Sequence, residues 1–171
     1  SRNEDGSWKR YDADWRESTY KNYFWMVPYD LQGLIDSIGG KEAAEKRLDE
    51  MFRRLDASYG DEWFASGNEP SFQIPWIYNW AGAPYKAQQV IRRILNEQYS
   101  SRVNGLPGND DLGSMGAWYV FASIGLFPEI PGVGGFSVNS PVFRKIVLHL
   151  PEGDVIIKGG DEKKEYIHSL S

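Results

Sequence analysis

Three short stretches set carboxylates beside amides and indoles in loops shaped by glycine and proline. They are Trp15-Arg16-Glu17-Ser18-Thr19, Ser66-Gly67-Asn68-Glu69-Pro70-Ser71 and Gly105-Leu106-Pro107-Gly108-Asn109-Asp110-Asp111-Leu112-Gly113. Each stands at the start of an apolar, helix-like run. Helix N-termini favour negative charge, so capping accounts for one carboxylate per loop. It accounts for one Asp of the Gly-Asn-Asp-Asp turn but not for the whole turn. For Glu17, a surface or capping role and a catalytic role stand level. For Asn68-Glu69-Pro70, a plain turn is the simpler reading in isolation. The chain has no cysteine and two histidines, His149 and His168, both in its last quarter. Disulfides, thiolate metal sites and Cys nucleophiles are therefore excluded, and a His-based zinc site or a Ser/His/Asp triad is disfavoured. Carboxylate acid–base chemistry, hard metals held by oxygen, and binding on aromatic faces remain. Trp15, Trp25, Trp63, Trp76, Trp80 and Trp118 would ordinarily be core, but rings beside carboxylate loops also form platforms for sugars. Together these groups are the equipment of a carbohydrate-active site.

The elements that must position these loops follow from the apolar spacing. Residues 41–55 bury one face through Ala44, Leu48, Met51, Phe52 and Leu55, after a Gly39-Gly40 break. Residues 84–98 repeat the pattern with Val90, Ile91, Ile94 and Leu95, with Pro84 in a first turn that tolerates it. Residues 112–124 read as a helix apolar nearly all round, which belongs inside something large. Shorter helices are expected over 19–27, 31–38 and 74–80. Beyond Phe127-Pro128, β-branched residues alternate with polar ones, predicting strands over 135–138, 144–150, 154–158 and 165–168, with a tight turn at Pro151-Glu152-Gly153-Asp154.

Composition narrows the class. The 171 residues are 41% hydrophobic and 15% aromatic, too ordered a composition for a disordered segment. Nineteen basic against 24 acidic residues leave a net charge of −5, which argues against a nucleic-acid or anionic-membrane partner. No apolar run approaches the roughly 20 residues that span a bilayer.

In order and over nearly the whole chain, these loops resemble glycoside hydrolase family 92, the calcium-dependent exo-α-mannosidases. The stretches that carry the resemblance are ESTYKNYFWMVPYD from Glu17, GNEPSFQIPWIYNWAGAP from Gly67, GLPGNDDLGSMGAWYVFASIGLFP from Gly105 and GFSVNSPVF from Gly135. The resemblance implies a mainly α fold: residues 1–127 as the C-terminal part of an (α/α)6 catalytic toroid, and residues 128–171 as short antiparallel strands returning to a β-sandwich. Family members are several times longer, so the missing N-terminal part of the same enzyme is an expected partner.

The resemblance further implies inverting, single-displacement hydrolysis of terminal α-linked mannose from glycans, with Glu17 as general acid and Asp111 as general base, Asp110 being the second choice. It implies Ca2+ as cofactor, with Asn68, Glu69 and the Gly67 carbonyl as ligands; calcium suits a site of many loosely arranged oxygens. Trp25, Asp30, Trp63 and Asn109 are the expected substrate contacts. The chain departs from many members at Lys21-Asn22-Tyr23, at Pro28-Tyr29-Asp30 and at Trp63-Phe64, which leaves α-1,2, α-1,3 and α-1,6 linkages open. Retention of Glu17 favours an ordinary glycosidic leaving group over a phosphate. The competing expectations are a non-catalytic carbohydrate-binding or structural remnant of such an enzyme, and an exo-glycosidase for another sugar. The lack of cysteine is compatible with a bacterial cytoplasm or with export.

Overall fold

The computed structural model describes residues 2–10 and 14–171. Among the described residues, six α-helices lead into two short strand pairs. The helices are α1 (Tyr20–Tyr23), α2 (Leu31–Ser37), α3 (Lys41–Met51), α4 (Ile77–Trp80), α5 (Pro84–Glu97) and α6 (Ser114–Ile124), and 3₁₀ turns occupy Pro28–Asp30, Glu69–Ser71 and Ile74–Trp76. Strands β1 (Leu126–Phe127) and β2 (Ser137–Val138) pair antiparallel, as do β3 (Lys145–Leu150) and β4 (Gly153–Lys158). Among the described residues, no helix is long and apolar enough to cross a membrane.

The core lies where α2, α3, α4 and α5 meet. Leu31 and Ile35 of α2, Ala44 and Leu48 of α3, Ile77 and Tyr78, and Ala87, Ile91 and Ile94 of α5 are all buried. In α2, α3 and α5 their three- and four-residue spacing puts them on one stripe per helix. Trp76 sits at the centre, fully buried, stacked on Phe127 at 4.0 Å and edge-on to Trp118. The C-terminal segment is tied to this body by Asn139, itself buried. Its side chain accepts from Trp76 Nε1 (3.2 Å) and donates to the Ala122 carbonyl (2.9 Å). Gly125 closes α6 with a left-handed φ of 86°, close against the Asn139 carbonyl, where a side chain does not fit.

Four expectations differ from the structure. The helix expected over 41–55 stops at Met51, because Phe64 N donates to the Met51 carbonyl and Arg93 Nη1 to the Phe52 carbonyl. Phe52 and Leu55 stay buried outside the helix, so their apolar spacing reports burial rather than helix. The helix expected over 19–27 is α1 alone, four residues; the chain then turns, Trp25 enters the core, and Pro28 disfavours helix at the preceding residue. The strand expected over 165–168 does not form. That stretch runs along α5, where Arg92 donates to the Lys164 carbonyl (3.1 Å) and Gln88 Oε1 accepts from Ile167 N (2.7 Å). Helix side chains thus satisfy backbone groups that a strand would pair. Finally, α6 buries Met115, Trp118 and Ala122, yet Tyr119 and Val120 stand 40% and 56% exposed, so the all-round apolar helix is covered on one side only.

Candidate active site

The three carboxylate loops come together. Asn22, fully buried in α1, donates to the Trp63 carbonyl (3.1 Å) and accepts from Ser71 Oγ (3.0 Å), which docks the start of α1 on the loop that carries Asn68 and Glu69. Asn68, 5% exposed, donates from Nδ2 to the Glu17 carbonyl at 2.7 Å, which fixes the backbone of the first loop to the second. Tyr23 donates to the Arg16 carbonyl (2.9 Å) and stacks on Trp15 at 5.2 Å, so an aromatic pair steadies the other side of Glu17. The Glu17 carboxylate is exposed and lies 3.4 Å from Arg16 Nε. Beside it, the hydroxyls of Ser18 and Thr19 are buried with no partner among the described residues.

The second and third loops meet backbone to backbone at Gly67 and Gly108. The Gly67 carbonyl faces the Gly108 Cα, and a methyl group on either residue meets main chain of the other loop. Past this contact, Glu69 Oε1 accepts from Ser114 Oγ at 3.0 Å, and the same hydroxyl lies 2.8 Å from the Asp111 carbonyl, so Glu69 and the Asp111 turn share one donor. The paired aspartates divide their roles. Asp110 Oδ1 accepts from Gly116 N (3.0 Å) and is the capping group of α6. Asp111 is exposed and turned towards Glu69; desolvation against the loop, the Glu69 charge and hydrogen bond, and then the charges of Glu17 and Asp110 hold its carboxyl above the usual range.

Glu17, Asp111 and Leu112 have φ of 56°, 46° and 61°. Left-handed backbone at non-glycine residues costs of order 1–3 kcal/mol each and persists only where surrounding contacts over-determine it. Asp14, with φ of 69°, is the fourth such residue among those described, and two of the four are the residues expected to do acid–base work.

The remaining expected site residues are placed as follows. Asn109 stands exposed, one position before Asp110. Trp63 is half-buried, its carbonyl held by Asn22. Trp25 is 2% exposed and edge-on to Phe24, a core residue in this chain. Asp30 caps α2 through Gly33 N at 3.0 Å. The sequence offered Trp15 as a ring beside a carboxylate loop, but neither its stacking on Tyr23 nor the contact of Ser114 with Glu69 was foreseen. A serine directly after Gly-Asn-Asp-Asp-Leu-Gly is a helix-start signal, but nothing in the order of residues links it to Glu69.

The donors beside this cluster are a carboxylate and a carboxamide, with no sulfur or imidazole, which suits a hard, oxygen-seeking cation. The donor types of Asn68 and Glu69 are compatible with a calcium ion. Among the described residues there is no group of three or more His, Asp or Glu side chains spaced to hold a metal.

The chain matches the family model of the glycosyl hydrolase family 92 catalytic domain over residues 1–171. It is 32% identical over 139 residues to an uncharacterized secreted glycosidase of Arthroderma benhamiae, a stretch that covers 79% of this chain and 17% of that protein. Among solved structures it is similar to the family GH92 alpha-mannosidase BT3965 from Bacteroides thetaiotaomicron, at 35% identity and a TM-score of 0.77 over 87% of this chain and 20% of that one. The family GH92 inverting mannosidase BT2199 from Bacteroides thetaiotaomicron VPI-5482 is 31% identical, with a TM-score of 0.76 over 92% of this chain and 25% of that one. The chain therefore spans about a fifth of the length of the relatives it matches. It belongs to glycosyl hydrolase family 92.

Proposed function

We propose that this chain supplies the acid, the base and part of the metal site of an exo-α-mannosidase that hydrolyses terminal α-linked mannose from glycans with inversion. The observation that carries the reading is the convergence of the Glu17 loop, Asn68 and Glu69, and Asp111. The names of the solved relatives, α-mannosidase and inverting mannosidase, support the sugar and the stereochemistry.

Glu17, next to Arg16 and open to solvent, is the proton donor to the departing glycosidic oxygen. Asp111 takes the proton of the attacking water on the opposite face; a carboxyl held above its usual range is a better base for that step, because its conjugate acid is weaker. Asp110, engaged at the helix start, orients the turn rather than the water. Asn68 and Glu69 would hold the calcium, which when bound would supply positive charge to the sugar hydroxyls. The remaining walls of the site come from the rest of the enzyme, the part of the relatives' length that this chain does not span.

The experiment is a leaving-group series on the intact protein. Glu17→Gln should lower kcat by about 10²–10⁴-fold on a mannoside with a poor alcohol leaving group and far less on an activated aryl mannoside. Asp111→Asn should lose activity on both alike, since a good leaving group does not activate water. Proton NMR of the first-formed product should show β-mannose. Equal damage by Glu17→Gln on both substrates, or α-mannose as first product, refutes the assignment.

A further inference from the structure

Resting on that reading, we propose that Ser114 is a positioning residue: its hydroxyl locks the turn that carries Asp111 onto Glu69 and so sets both calcium affinity and turnover. Ser114 Oγ lies 3.0 Å from Glu69 Oε1, 2.9 Å from the Asp110 carbonyl and 2.8 Å from the Asp111 carbonyl. One hydroxyl proton thus faces three acceptors on two loops. The two carbonyls receive only long backbone bonds besides, Met115 N to Asp110 O and Ser114 N to Asp111 O, each at 3.3 Å. The hydroxyl is the nearest donor to all three groups.

The turn needs such a clamp. Asp111 and Leu112 are both left-handed, and Leu112 is fully exposed, so no burial of its side chain holds that conformation. Glu69 needs it for a different reason. Its carboxylate carries the same charge as Asp111 on the turn that the hydroxyl also touches, and a donated hydroxyl proton is a charge-assisted bond that keeps it in place. Without the hydroxyl, Glu69 and the Asp111 turn are free to move apart. A carboxylate that no longer points at the ion binds it more weakly, and a base displaced from the water activates it poorly. Ser114 is also the first residue of α6, a position that accepts alanine, so the hydroxyl can be removed without removing the helix.

The test uses Ser114→Ala, Ser114→Thr and Ser114→Val in the intact protein, with Asp111→Asn alongside. Calcium affinity is read by calorimetry without substrate, and kcat and KM on an activated aryl mannoside. Alanine and valine should each weaken calcium binding by about 10–100-fold, the range for loss of an outer-shell partner, and lower kcat with KM little changed. Threonine, which keeps the hydroxyl, should restore both; valine matches its shape without it. Unchanged calcium affinity and kcat in Ser114→Ala overturn the proposal, as does Ser114→Thr failing like Ser114→Val. Alanine and valine variants that unfold while threonine folds overturn it too, in favour of a purely structural role. An inactive Asp111→Asn beside a fully active Ser114→Ala defeats this inference alone. An active Asp111→Asn defeats the functional reading and this inference with it.

Discussion

Gly108→Ala tests whether the contact between two glycines sets the spacing of the site. A methyl group on Gly108 lies 2.8 Å from Gly67 Cα and 3.0 Å from Gly67 C, with the Gly67 carbonyl oxygen nearer still. Ordinary contacts of a Cβ begin at 3.4 Å, so the two loops must part by at least about 0.6 Å. The obstacle is main chain on both sides, and main chain does not swing away as a long side chain does. Neither glycine has a left-handed φ, so alanine is acceptable to each backbone in itself and the contact alone is at fault. Parting the loops moves Asn68 and Glu69 relative to Asp110 and Asp111, the residues that follow each glycine. Misplacement by about 1 Å costs about 10²-fold in rate, so a shift of this size should lower kcat by about 10–10²-fold. Overpacking of this kind also destabilises by about 1–3 kcal/mol, which calorimetry reads as a lower Tm. The control is Gly134→Ala, where a methyl group meets nothing within 4 Å and φ is not left-handed. Steady-state kinetics and Tm on both intact variants decide the matter. A folded Gly108→Ala enzyme within threefold of the parent kcat, or an equally damaged Gly134→Ala, refutes the reasoning.

Glu69→Gln should weaken calcium binding by more than tenfold in a calorimetric titration, whereas Glu62→Gln, which loses only its 2.6 Å pair with Lys21, should leave it unchanged; chelation followed by calcium should restore activity better than magnesium does. Asn22→Ala strands the Trp63 carbonyl and Ser71 Oγ in a buried site, and urea unfolding should show a loss of about 1–3 kcal/mol. Burial pushes the Glu129 carboxyl up, against the lowering effect of hydrogen bonds from Ser137 and Trp80. An acid raised in the folded state favours folding below its unfolded value, and that contribution is lost as pH rises through the folded value. The Tm difference between the parent and Glu129→Gln should therefore move against the parent as pH rises from about 4 towards 7, and a difference flat with pH refutes the assignment.

The helical half was legible where a local pattern and its tertiary partner agree. Pro84 and the stripe Val90, Ile91, Ile94, Leu95 give α5 within a residue of its ends, because the buried stripe is also the face that meets Ile77 and Trp76. The β3 and β4 hairpin was legible for the same reason, its β-branched runs flanking a turn at Pro151 and Glu152. The stretch over 165–168 was not. Its residues look like those of a strand, but the groups that hold it, Gln88 and Arg92, lie more than 70 positions earlier and on a helix. No local pattern carries that information.

The site was legible in its residue types and illegible in its shape. Carboxylates in glycine-rich loops before apolar runs mark out Glu17, Glu69 and Asp111, but capping rules assign the aspartate pair to a helix start and stop there. The structure shows why the rule is half right. The N-cap position itself is Gly113, but Asp110 reaches over to accept from Gly116 N, and because one aspartate meets that need the other is released from it. Asp111 then adopts a left-handed turn that no propensity favours, and the helix begins only at Ser114. Such a turn has to be held by something outside itself, and what holds it is a serine hydroxyl shared with Glu69, 45 positions away. Local preference therefore fails at a turn that a contact from a distant loop helps to hold, which the order of residues does not encode.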